Sequence, residues 1–516
     1  MASKSLFQTL RGFLLPATDA VNEAGGAAYT LTPEGALAQL ASTGCLNSTF
    51  YASDEAQLAQ VLALAAAVPP AYVAKVAVYA REQAFMKDMP ALLLAHLASR
   101  DADAFAQAFP RVVTDGRMLR TFVQILRSGV TGRKSLGSRP KRLVREWLAA
   151  RPGDELFRAS VGQDPSLADI LRMVHPKPAD EGRRALYGYL LGKGHDAERL
   201  PDTVKAYEAF KAGATLEVPD VPFLFLTALP LGRREWSAIA RRASWQTTRM
   251  NLATFARHGV FEEEGMTALV AERLRDPQAI RRAKVFPYQL LAAWKMSSGV
   301  PRAVQDALCD AMELATANVP AVDGKVYVFP DTSGSMQSPV TGHRTGATTS
   351  VTCLDVAALV TAAILRKNPE AEVLPFAEGV KRARLNPRDT VTTNALALAR
   401  LGGGGTNCSA PLAELNARGA KGDLVIYVSD NESWMDPARG RGTETMREWS
   451  RYKARNPGAK LVCIDLQPNT TTQAADRADV LNVGGFSDQV FEVIAKFQGT
   501  GLGTGAWTKV IEEVQV

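Results

Sequence analysis

Val326-Tyr-Val-Phe-Pro-Asp331-Thr-Ser333-Gly-Ser335-Met is the stretch that decides the fold of the C-terminal part of this chain. A short apolar run is followed by an acid and then by hydroxyl side chains at alternate positions. Apolar runs of this length predict a buried strand, which places the acid and the hydroxyls in the loop after it. Two further segments follow: the glycine run Gly402-Gly-Gly-Gly-Thr406, and Ile426-Tyr-Val-Ser-Asp430-Asn-Glu432, in which an acid again comes after an apolar run.

The sequence around these segments alternates between strand and helix patterns. Strands are predicted for the short β-branched or apolar runs at 325–329, 371–376, 423–428, 460–465 and 480–483. Helices are predicted at 354–366, 410–417, 443–453 and 487–497. This order predicts a doubly wound, Rossmann-like α/β domain over residues 321–516, with a parallel sheet and helices on both faces.

The three segments predict a metal site. In a doubly wound sheet the C-terminal ends of the strands lie at one edge, so loops that are distant in sequence meet there. The side chains expected to meet are Asp331, Ser333, Ser335, Thr406 and Asp430. Two carboxylates and three hydroxyls form an all-oxygen set that suits a hard divalent cation, Mg²⁺ first and Mn²⁺ or Ca²⁺ as alternatives.

Other chemistries for these residues are less well supported by the sequence. A nucleotide P-loop is disfavoured because no Gly-Lys-Ser/Thr follows the glycines. A serine hydrolase is disfavoured because neither serine lies in Gly-x-Ser-x-Gly and no histidine follows Asp430. The remaining alternative is that Asp331 and Asp430 only cap helices.

Residues 1–320 have a helical pattern throughout. Leu58, Val61, Leu62 and Ala65 follow the spacing of a one-faced helix, which ends before Pro69. Further helices are predicted at 71–83, 90–99, 116–128, 139–150, 203–212, 234–244, 264–275 and 286–297. The short breaks between them predict antiparallel neighbours. Stacked pairs of the HEAT type fit this pattern, although no fixed sequence period accompanies them.

The positive charge of the chain is confined to this helical part. Residues 1–320 hold 39 Lys and Arg against 32 Asp and Glu, whereas the rest of the chain holds 21 of each. Between Arg111 and Arg151 there are 11 basic residues and two acids. Such a surface attracts polyanions, and the alternative is an ordinary solvated face.

Length and composition describe a water-soluble, cytoplasmic protein of more than one domain. A chain of 516 residues exceeds what a single hydrophobic core usually organises. No apolar run reaches the roughly 18 residues of a membrane span, and the first 15 residues lack the pattern of a signal peptide. The five cysteines are scattered, as is typical of reduced thiols.

The series Asp331-x-Ser333-x-Ser335, Thr406 and Asp430 resembles the metal-ion-dependent adhesion site of von Willebrand factor A domains. In that family the Asp-x-Ser-x-Ser residues and the threonine coordinate a divalent cation, some of them through water, and the second aspartate supports them. An acidic group of a partner completes the coordination.

The helical part resembles the TROVE module in the stretches 167–178, 249–261 and 281–294. Together with Gly404-Gly-Thr-Asn-Cys-Ser and Ser429-Asp-Asn-Glu-Ser, the chain from about Gly25 onward resembles the Ro autoantigen family in a bacterial form. The resemblance implies a ring of HEAT-like repeats closed by the A domain. It also implies that small noncoding Y RNAs bind the outer surface, and that structured or misfolded RNAs thread single-stranded 3′ ends through the hole.

Two groups of side chains are predicted to bind RNA. The first lies on a glycine-rich loop and the helix after it: Arg133, Lys134, Arg139, Lys141, Arg142 and Arg145. Arginine suits phosphate because of its fork of donors, whereas Trp147 is expected in the core. By resemblance, Arg172, His175 and Lys177 form the second group. Arg249 and His258 are weaker candidates because they lie in a stretch, 245–261, expected to be one largely buried helix.

The sequence therefore predicts a non-enzymatic RNA scaffold or chaperone acting in RNA quality control, processing or stress survival. The family resemblance suggests an exoribonuclease, such as polynucleotide phosphorylase, as a protein partner, and a closed ring favours a monomer. The alternative is a metal-dependent adhesion adaptor that binds acidic ligands at the metal site. The charge of the helical part favours the RNA scaffold.

Overall fold

The described residues of this computed structural model are 15–283, 287–316, 319, 321–322, 324–343, 351–435, 442–487, 489–500 and 504–516. Some predictions lie partly outside these ranges. They concern the absence of a signal peptide in the first 15 residues, the family stretch 281–294, the boundary near residue 320 and the helix at 487–497.

Helices make up most of the described N-terminal part. From the N-terminus to its middle they are α1 (Pro33–Thr43), α2 (Asp54–Ala67), α3 (Pro70–Glu82), α4 (Asp88–Arg100), α5 (Ala102–Val112), α6 (Gly116–Ser128), α7 (Ser138–Ala149), α8 (Gly153–Ala159), α9 (Leu167–Val174), α10 (Glu181–Leu190) and α11 (Asp202–Lys211). The later ones are α12 (Phe223–Leu226), α13 (Arg233–Arg242), α14 (Trp245–Met250), α15 (Leu252–Arg257), α16 (Met266–Arg275), α17 (Pro277–Ala283), α18 (Pro287–Lys295) and α19 (Arg302–Ala315).

Helices that are neighbours in the chain pack against each other through apolar faces. In α6 the buried side chains fall on one side, at Met118, Leu119, Phe122, Val123 and Leu126. Helix α3 packs on α4 and α5, and α4 packs on α6. The predicted helical array is confirmed, and it also contains helices that the sequence pattern did not locate, among them α1, α5, α10 and α19.

One predicted helix is wrong. The stretch 245–261 forms two short helices, α14 and α15, followed by a 3₁₀ turn at Val260–Glu262. The break falls at Asn251, whose side-chain amide donates to the Thr247 carbonyl at 2.8 Å. Asparagine competes with helical hydrogen bonds in this way, and the apolar spacing on either side of it does not reveal the break.

The C-terminal part contains the predicted parallel sheet. Its strands are β3 (Val326–Pro330), β4 (Glu372–Val373), β5 (Leu424–Ser429), β6 (Lys460–Asp465) and β8 (Val480–Gly484), in the spatial order β4-β3-β5-β6-β8. The helices are α20 (Cys353–Lys367), α21 (Val391–Ala399), α22 (Ala410–Ala417), α23 (Glu444–Arg455), α24 (Gln489–Thr500) and α25 (Ala506–Glu512). The α/β fold predicted for this part is confirmed.

A small antiparallel sheet joins the N-terminus of the described chain to the C-terminal part. Strands β1 (Ala20–Val21) and β2 (Ala27–Thr30) form a hairpin, and β2 pairs with β7 (Thr471–Thr472). Strand β2, which comes before the predicted boundary at residue 320, therefore pairs with a strand that comes after it. The division at residue 320 itself stays a prediction.

The α/β part contacts both ends of the helical array. At the first end α1 packs against β8, and α25 packs against α3. At the second end α18 packs on α20, and α19 packs on α21. The Nζ atom of Lys295 lies 2.7 Å from both carboxylate oxygens of Asp355, which is buried. The described chain therefore closes on itself. No helix among the described residues is both long and apolar enough to cross a membrane.

Candidate functional site

The loops after β3 and β5 lie side by side at the C-terminal edge of the sheet. The two strands are parallel neighbours, with Pro330 opposite Val428, and the Asp331 N–H donates to the Val428 carbonyl at 2.9 Å. Asp331 and Asp430 therefore leave the sheet at the same edge. Both are almost completely buried.

Asp331 organises its own loop. Its Oδ1 accepts the Ser333 N–H at 2.8 Å, and its Oδ2 accepts the Ser429 hydroxyl at 2.6 Å. The hydroxyl oxygens of Ser333 and Ser335 are 3.3 Å apart. These bonds fold the Asp-x-Ser-x-Ser segment so that the acid and both serine hydroxyls are close together.

The glycine-rich loop brings Thr406 to the same place. The Gly403 N–H donates to the Thr332 carbonyl and the Gly334 N–H to the Gly404 carbonyl, both at 2.8 Å. Gly403 and Gly404 have φ of 118° and 104°, values that suit glycine. On the other side, the Thr406 carbonyl accepts the Trp434 N–H at 3.2 Å. All five predicted ligand residues are thus buried at one edge, and their role as ligands stays a prediction.

The electrostatics of this edge suit a cation. Burial, and then the negative charge of Asp331, raise the pKa of Asp430 to about 7, and burial also raises the pKa of Asp331. Lys381 lies near enough to oppose the shift at Asp331, but its Nζ already donates to the Leu401 and Gly403 carbonyls at 2.6 and 2.7 Å. A bound divalent ion would let both carboxylates ionise.

Two further acids at this edge were not among the predicted ligands. Glu432 is fully buried, and its Oε1 has no hydrogen-bond partner among the described residues. Burial and then Asp430 raise the pKa of Glu432 to about 8. Asp465 is also buried, and its pKa is raised mainly by burial and then by Glu432. Asp465 ends a predicted strand, so the rule that located Asp331 and Asp430 would also have found it.

The donor set fits a hard cation only if hydroxyls take part. Among the described residues, no group of three or more His, Cys, Asp or Glu side chains is arranged to hold a metal ion. The carboxylates of Asp331 and Asp430 with the hydroxyls of Ser333, Ser335 and Thr406 would supply oxygen ligands, as Mg²⁺ prefers. The unsatisfied Oε1 of buried Glu432 is consistent with a cation or ordered water near this edge.

On the helical array, the first predicted basic group divides into two kinds of side chain. Arg133 donates to the Ala98 carbonyl at 2.5 Å and to the Leu136 carbonyl at 3.3 Å, so it holds the loop. Lys134 is exposed. Arg139 pairs with Asp103 at 2.8 Å, and Arg142 pairs with Glu146 at 3.5 Å across exposed side chains.

The helix that carries these residues buries its other face as expected. Trp147 is 6% exposed, and its indole N–H donates to the Val113 carbonyl at 2.8 Å. The expectation that Trp147 belongs to the core is confirmed. Lys141 is half-buried and Arg145 is exposed.

The second predicted basic group lies at the end of α9. His175 follows this helix with a left-handed backbone, φ 49°, and Arg172, His175 and Lys177 are all exposed. Arg172 pairs with Asp169 at 2.9 Å. The Arg145 Nε donates to the Val174 carbonyl at 2.5 Å, and helices α7 and α9 are in contact. The structure therefore joins the two groups into one surface, here called the basic surface: Lys134, Arg139, Lys141, Arg142, Arg145, Arg172, His175 and Lys177.

The weaker candidates lie elsewhere. Arg249 is 9% exposed and donates to the Gln289 carbonyl at 2.8 Å, and burial lowers its pKa to about 10. The imidazole of His258 stacks on the indole of Trp236, with ring centroids 4.4 Å apart. Both side chains have contacts that stabilise the helical array.

A parallel sheet with a buried Asp-x-Ser-x-Ser loop at its C-terminal edge defines a von Willebrand factor A domain, here joined to a helical array. The sequence model of the Ro60 von Willebrand factor A domain matches residues 325–498. This part of the chain is therefore similar to the A domain of Ro60, and the resemblance to the Ro family that the sequence predicted is confirmed.

The similarity extends beyond that domain. The chain is 28% identical to the RNA-binding protein RO60 of Deinococcus radiodurans, over 96% of this chain and 99% of the relative. It is 25% identical to the RNA-binding protein RO60 of Caenorhabditis elegans, over 48% of this chain and 39% of that protein. The crystal structure of the D. radiodurans RO (RSR) protein has the same fold, with a TM-score of 0.60 and 23% identity over 90% of this chain and 99% of that one.

Proposed function

We propose that this chain is a non-enzymatic, cytoplasmic RNA-binding protein that holds small noncoding, Y-like RNA on its basic surface. Two relatives, which match 96% and 48% of this chain, are named as RNA-binding proteins. The net positive charge of residues 1–320 is of the sign that attracts RNA.

The observation that carries the proposal is the hydrogen bond from Arg145 to the Val174 carbonyl. It holds the arginines of α7 beside the exposed turn that contains His175. A single basic surface can contact more successive phosphates than either group could contact alone. The ion pairs of Arg139 and Arg142 are exposed, so phosphates can replace their carboxylate partners at little cost.

The proposal includes a second class of RNA and a protein partner. The closed helical array and the family resemblance support binding of structured or misfolded RNAs that carry single-stranded 3′ ends, in RNA quality control, processing or stress survival. An exoribonuclease such as polynucleotide phosphorylase would receive those ends. A chain that already contacts both of its own ends favours a monomer.

The proposal also includes a divalent cation, Mg²⁺ first, held by Asp331, Ser333, Ser335, Thr406 and Asp430. The ion would neutralise the buried carboxylates and so stabilise the loops at the C-terminal edge of the sheet. Its site lies in the A domain, which carries no net charge excess of its own.

The test is to identify the RNA that the protein carries in its host. RNA crosslinked to wild-type protein would be sequenced beside RNA from a variant with Arg142, Arg145, Arg172 and Lys177 changed to Gln. A control variant carries Arg302→Gln and Arg382→Gln, which remove exposed charges elsewhere. We expect small structured RNAs from wild type and control and a strong loss in the variant. Equal recovery from all three would contradict the proposal.

The metal-dependent adhesion adaptor remains the second candidate because of one observation. Trp434 and Met435 are 50% and 39% exposed, and their N–H groups donate to the Thr406 carbonyl. Exposed apolar side chains beside a metal site are typical of a protein-binding surface. Protein recovered free of nucleic acid at low salt would favour this candidate.

A further inference from the structure

The C-terminal edge of the sheet, where the metal site is proposed, is here called the metal-site edge. A segment of the helical part, residues 47–53, covers it and is here called the covering loop. It joins α1 to α2 and lies against residues 341–343, which follow the Asp-x-Ser-x-Ser segment. The His343 N–H donates to the Ser48 carbonyl at 2.7 Å, and the Asn47 side-chain amide donates to the Thr341 carbonyl at 2.9 Å. A side chain at Gly342 would lie only 2.8 Å from the Asn47 Cβ, so the two segments are closely packed.

The covering loop is held in one conformation by its own hydrogen bonds. The Thr49 N–H donates to the Ala52 carbonyl at 2.8 Å, which makes a tight turn with Phe50 and Tyr51 at its tip. The Gln57 side chain donates to the Asn47 carbonyl at 2.8 Å. Phe50 is 58% exposed, whereas Tyr51 is half-buried, so the turn presents one ring to solvent and the other to the A domain.

Tyr51 points at the predicted ligands. Its hydroxyl lies within hydrogen-bonding reach of the Ser335 side chain, and Asp430 and Asp331 are near enough to act on it by charge. A phenol hydroxyl can donate to a carboxylate and can also offer an oxygen to a cation or its bound water.

A second N-terminal segment, which includes Asn22, Ala24 and Gly26, also contacts this edge. The Asn22 side-chain amide donates to the Ser433 carbonyl at 2.7 Å, and the Ala24 N–H donates to the Glu432 Oε2 at 3.2 Å. A Cβ at Gly26 would lie 1.9 Å from the Ser433 carbonyl oxygen, so only glycine allows this approach. The edge is thus enclosed by the N-terminal hairpin and the covering loop.

We propose that Tyr51 is part of the metal centre, and that the chain itself, rather than an acidic group of a partner protein, completes the surroundings of the cation. This inference rests on the proposed metal site. The metal centre would then contain residues of both the helical array and the A domain. Cation binding and docking of the covering loop then stabilise each other, because each favours the same closed arrangement.

The experiment measures Mn²⁺ binding to the full-length protein by calorimetry, in wild type, Tyr51→Phe, Tyr29→Phe and Asp331→Ala. Tyr51→Phe retains the ring and removes only the hydroxyl. Tyr29→Phe is the matched control, because this hydroxyl accepts the Thr443 N–H instead of facing the predicted ligands. We expect Tyr51→Phe to weaken Mn²⁺ binding about 3- to 10-fold, as for loss of one hydrogen-bonding group, and Tyr29→Phe to bind like wild type.

Hydrogen exchange of residues 47–53 supplies a second measurement that does not depend on the hydroxyl. We expect Mn²⁺ to slow exchange there in wild type and to have no effect in Asp331→Ala. Equal Mn²⁺ affinity of wild type and Tyr51→Phe, with unchanged exchange, would overturn the role of Tyr51 and leave the metal site standing. Absence of Mn²⁺ binding in wild type would overturn the metal site and this inference together.

Discussion

Arg145 on α7 is bound through its Nε to the main-chain carbonyl of Val174, the last residue of α9. The bond uses one edge of the guanidinium and leaves the side chain exposed. It also fixes the turn in which His175 adopts its left-handed backbone. Two stretches that are separated in sequence by the single helix α8 thereby form one basic surface.

The first prediction concerns the salt dependence of RNA binding. Changing Arg139, Lys141, Arg142 and Arg145 to Gln should weaken binding of a structured RNA and flatten its salt dependence. For each phosphate that the variant no longer neutralises, the slope of log K against log salt should fall by roughly 0.7–0.9. Filter binding over a series of salt concentrations measures this slope. If it stays the same in the variant, these residues form only a solvated face.

The second prediction separates the two classes of RNA. A structured RNA with a single-stranded 3′ tail should bind more tightly than the same RNA with a blunt end, because a flexible strand can follow a narrow basic channel and a duplex is too wide. Changing Arg172, His175 and Lys177 together to Ala should impair Y-like RNA more than the tailed RNA. Binding curves at fixed salt measure both effects. Equal affinity for tailed and blunt RNA would count against threading of the 3′ end.

The third prediction concerns the metal. Asp331→Ala should abolish Mg²⁺ or Mn²⁺ binding, since it removes a buried carboxylate that accepts the Ser333 N–H and the Ser429 hydroxyl at the predicted site. RNA binding should be unchanged, because the basic surface lies on other helices. Calorimetric titration of the metal and a parallel RNA titration check the two statements. Glu370→Ala, at an exposed position of the same domain, is the control. Undiminished metal binding in Asp331→Ala would mean that the site lies elsewhere.

The fourth prediction concerns the ion pair that joins α18 to the A domain. Lys295→Met leaves the buried Asp355 carboxylate without its cation and should lower the free energy of unfolding by about 2 kcal/mol. The decrease is smaller than for a fully buried pair because Lys295 is one-third exposed. Urea denaturation measures it.

Two further variants test the cause of that decrease. Arg302→Met removes one member of an exposed pair and should change stability by less than about 0.5 kcal/mol. Replacing both Lys295 and Asp355 by apolar residues should recover part of the stability, because no buried charge is then left unpaired. A double variant that is less stable than Lys295→Met would contradict this explanation.

The sequence by itself determined the two kinds of architecture and the five residues brought together at the sheet edge. A strand of the parallel sheet has a continuous apolar run, so 460–465 was located to the residue, and strand C-termini must share one edge. Asp331 and Asp430 could therefore be placed together from local patterns and one topological rule. The one-faced spacing of helices such as α6 is equally local.

Only the tertiary structure decided which basic side chains are available and what covers the metal-site edge. Arg133 and Arg145 are chemically identical side chains in the sequence. In the structure Arg133 is half-buried and donates to the Ala98 carbonyl, whereas Arg145 donates to the Val174 carbonyl and remains exposed. Tyr51 interacts with Ser335 and Asp430, which lie 284 and 379 positions later in the chain (335 − 51 and 430 − 51). Such contacts depend on the packing of whole helices, and no spacing within a single segment encodes them, because their energy is gained only when distant parts of the chain meet.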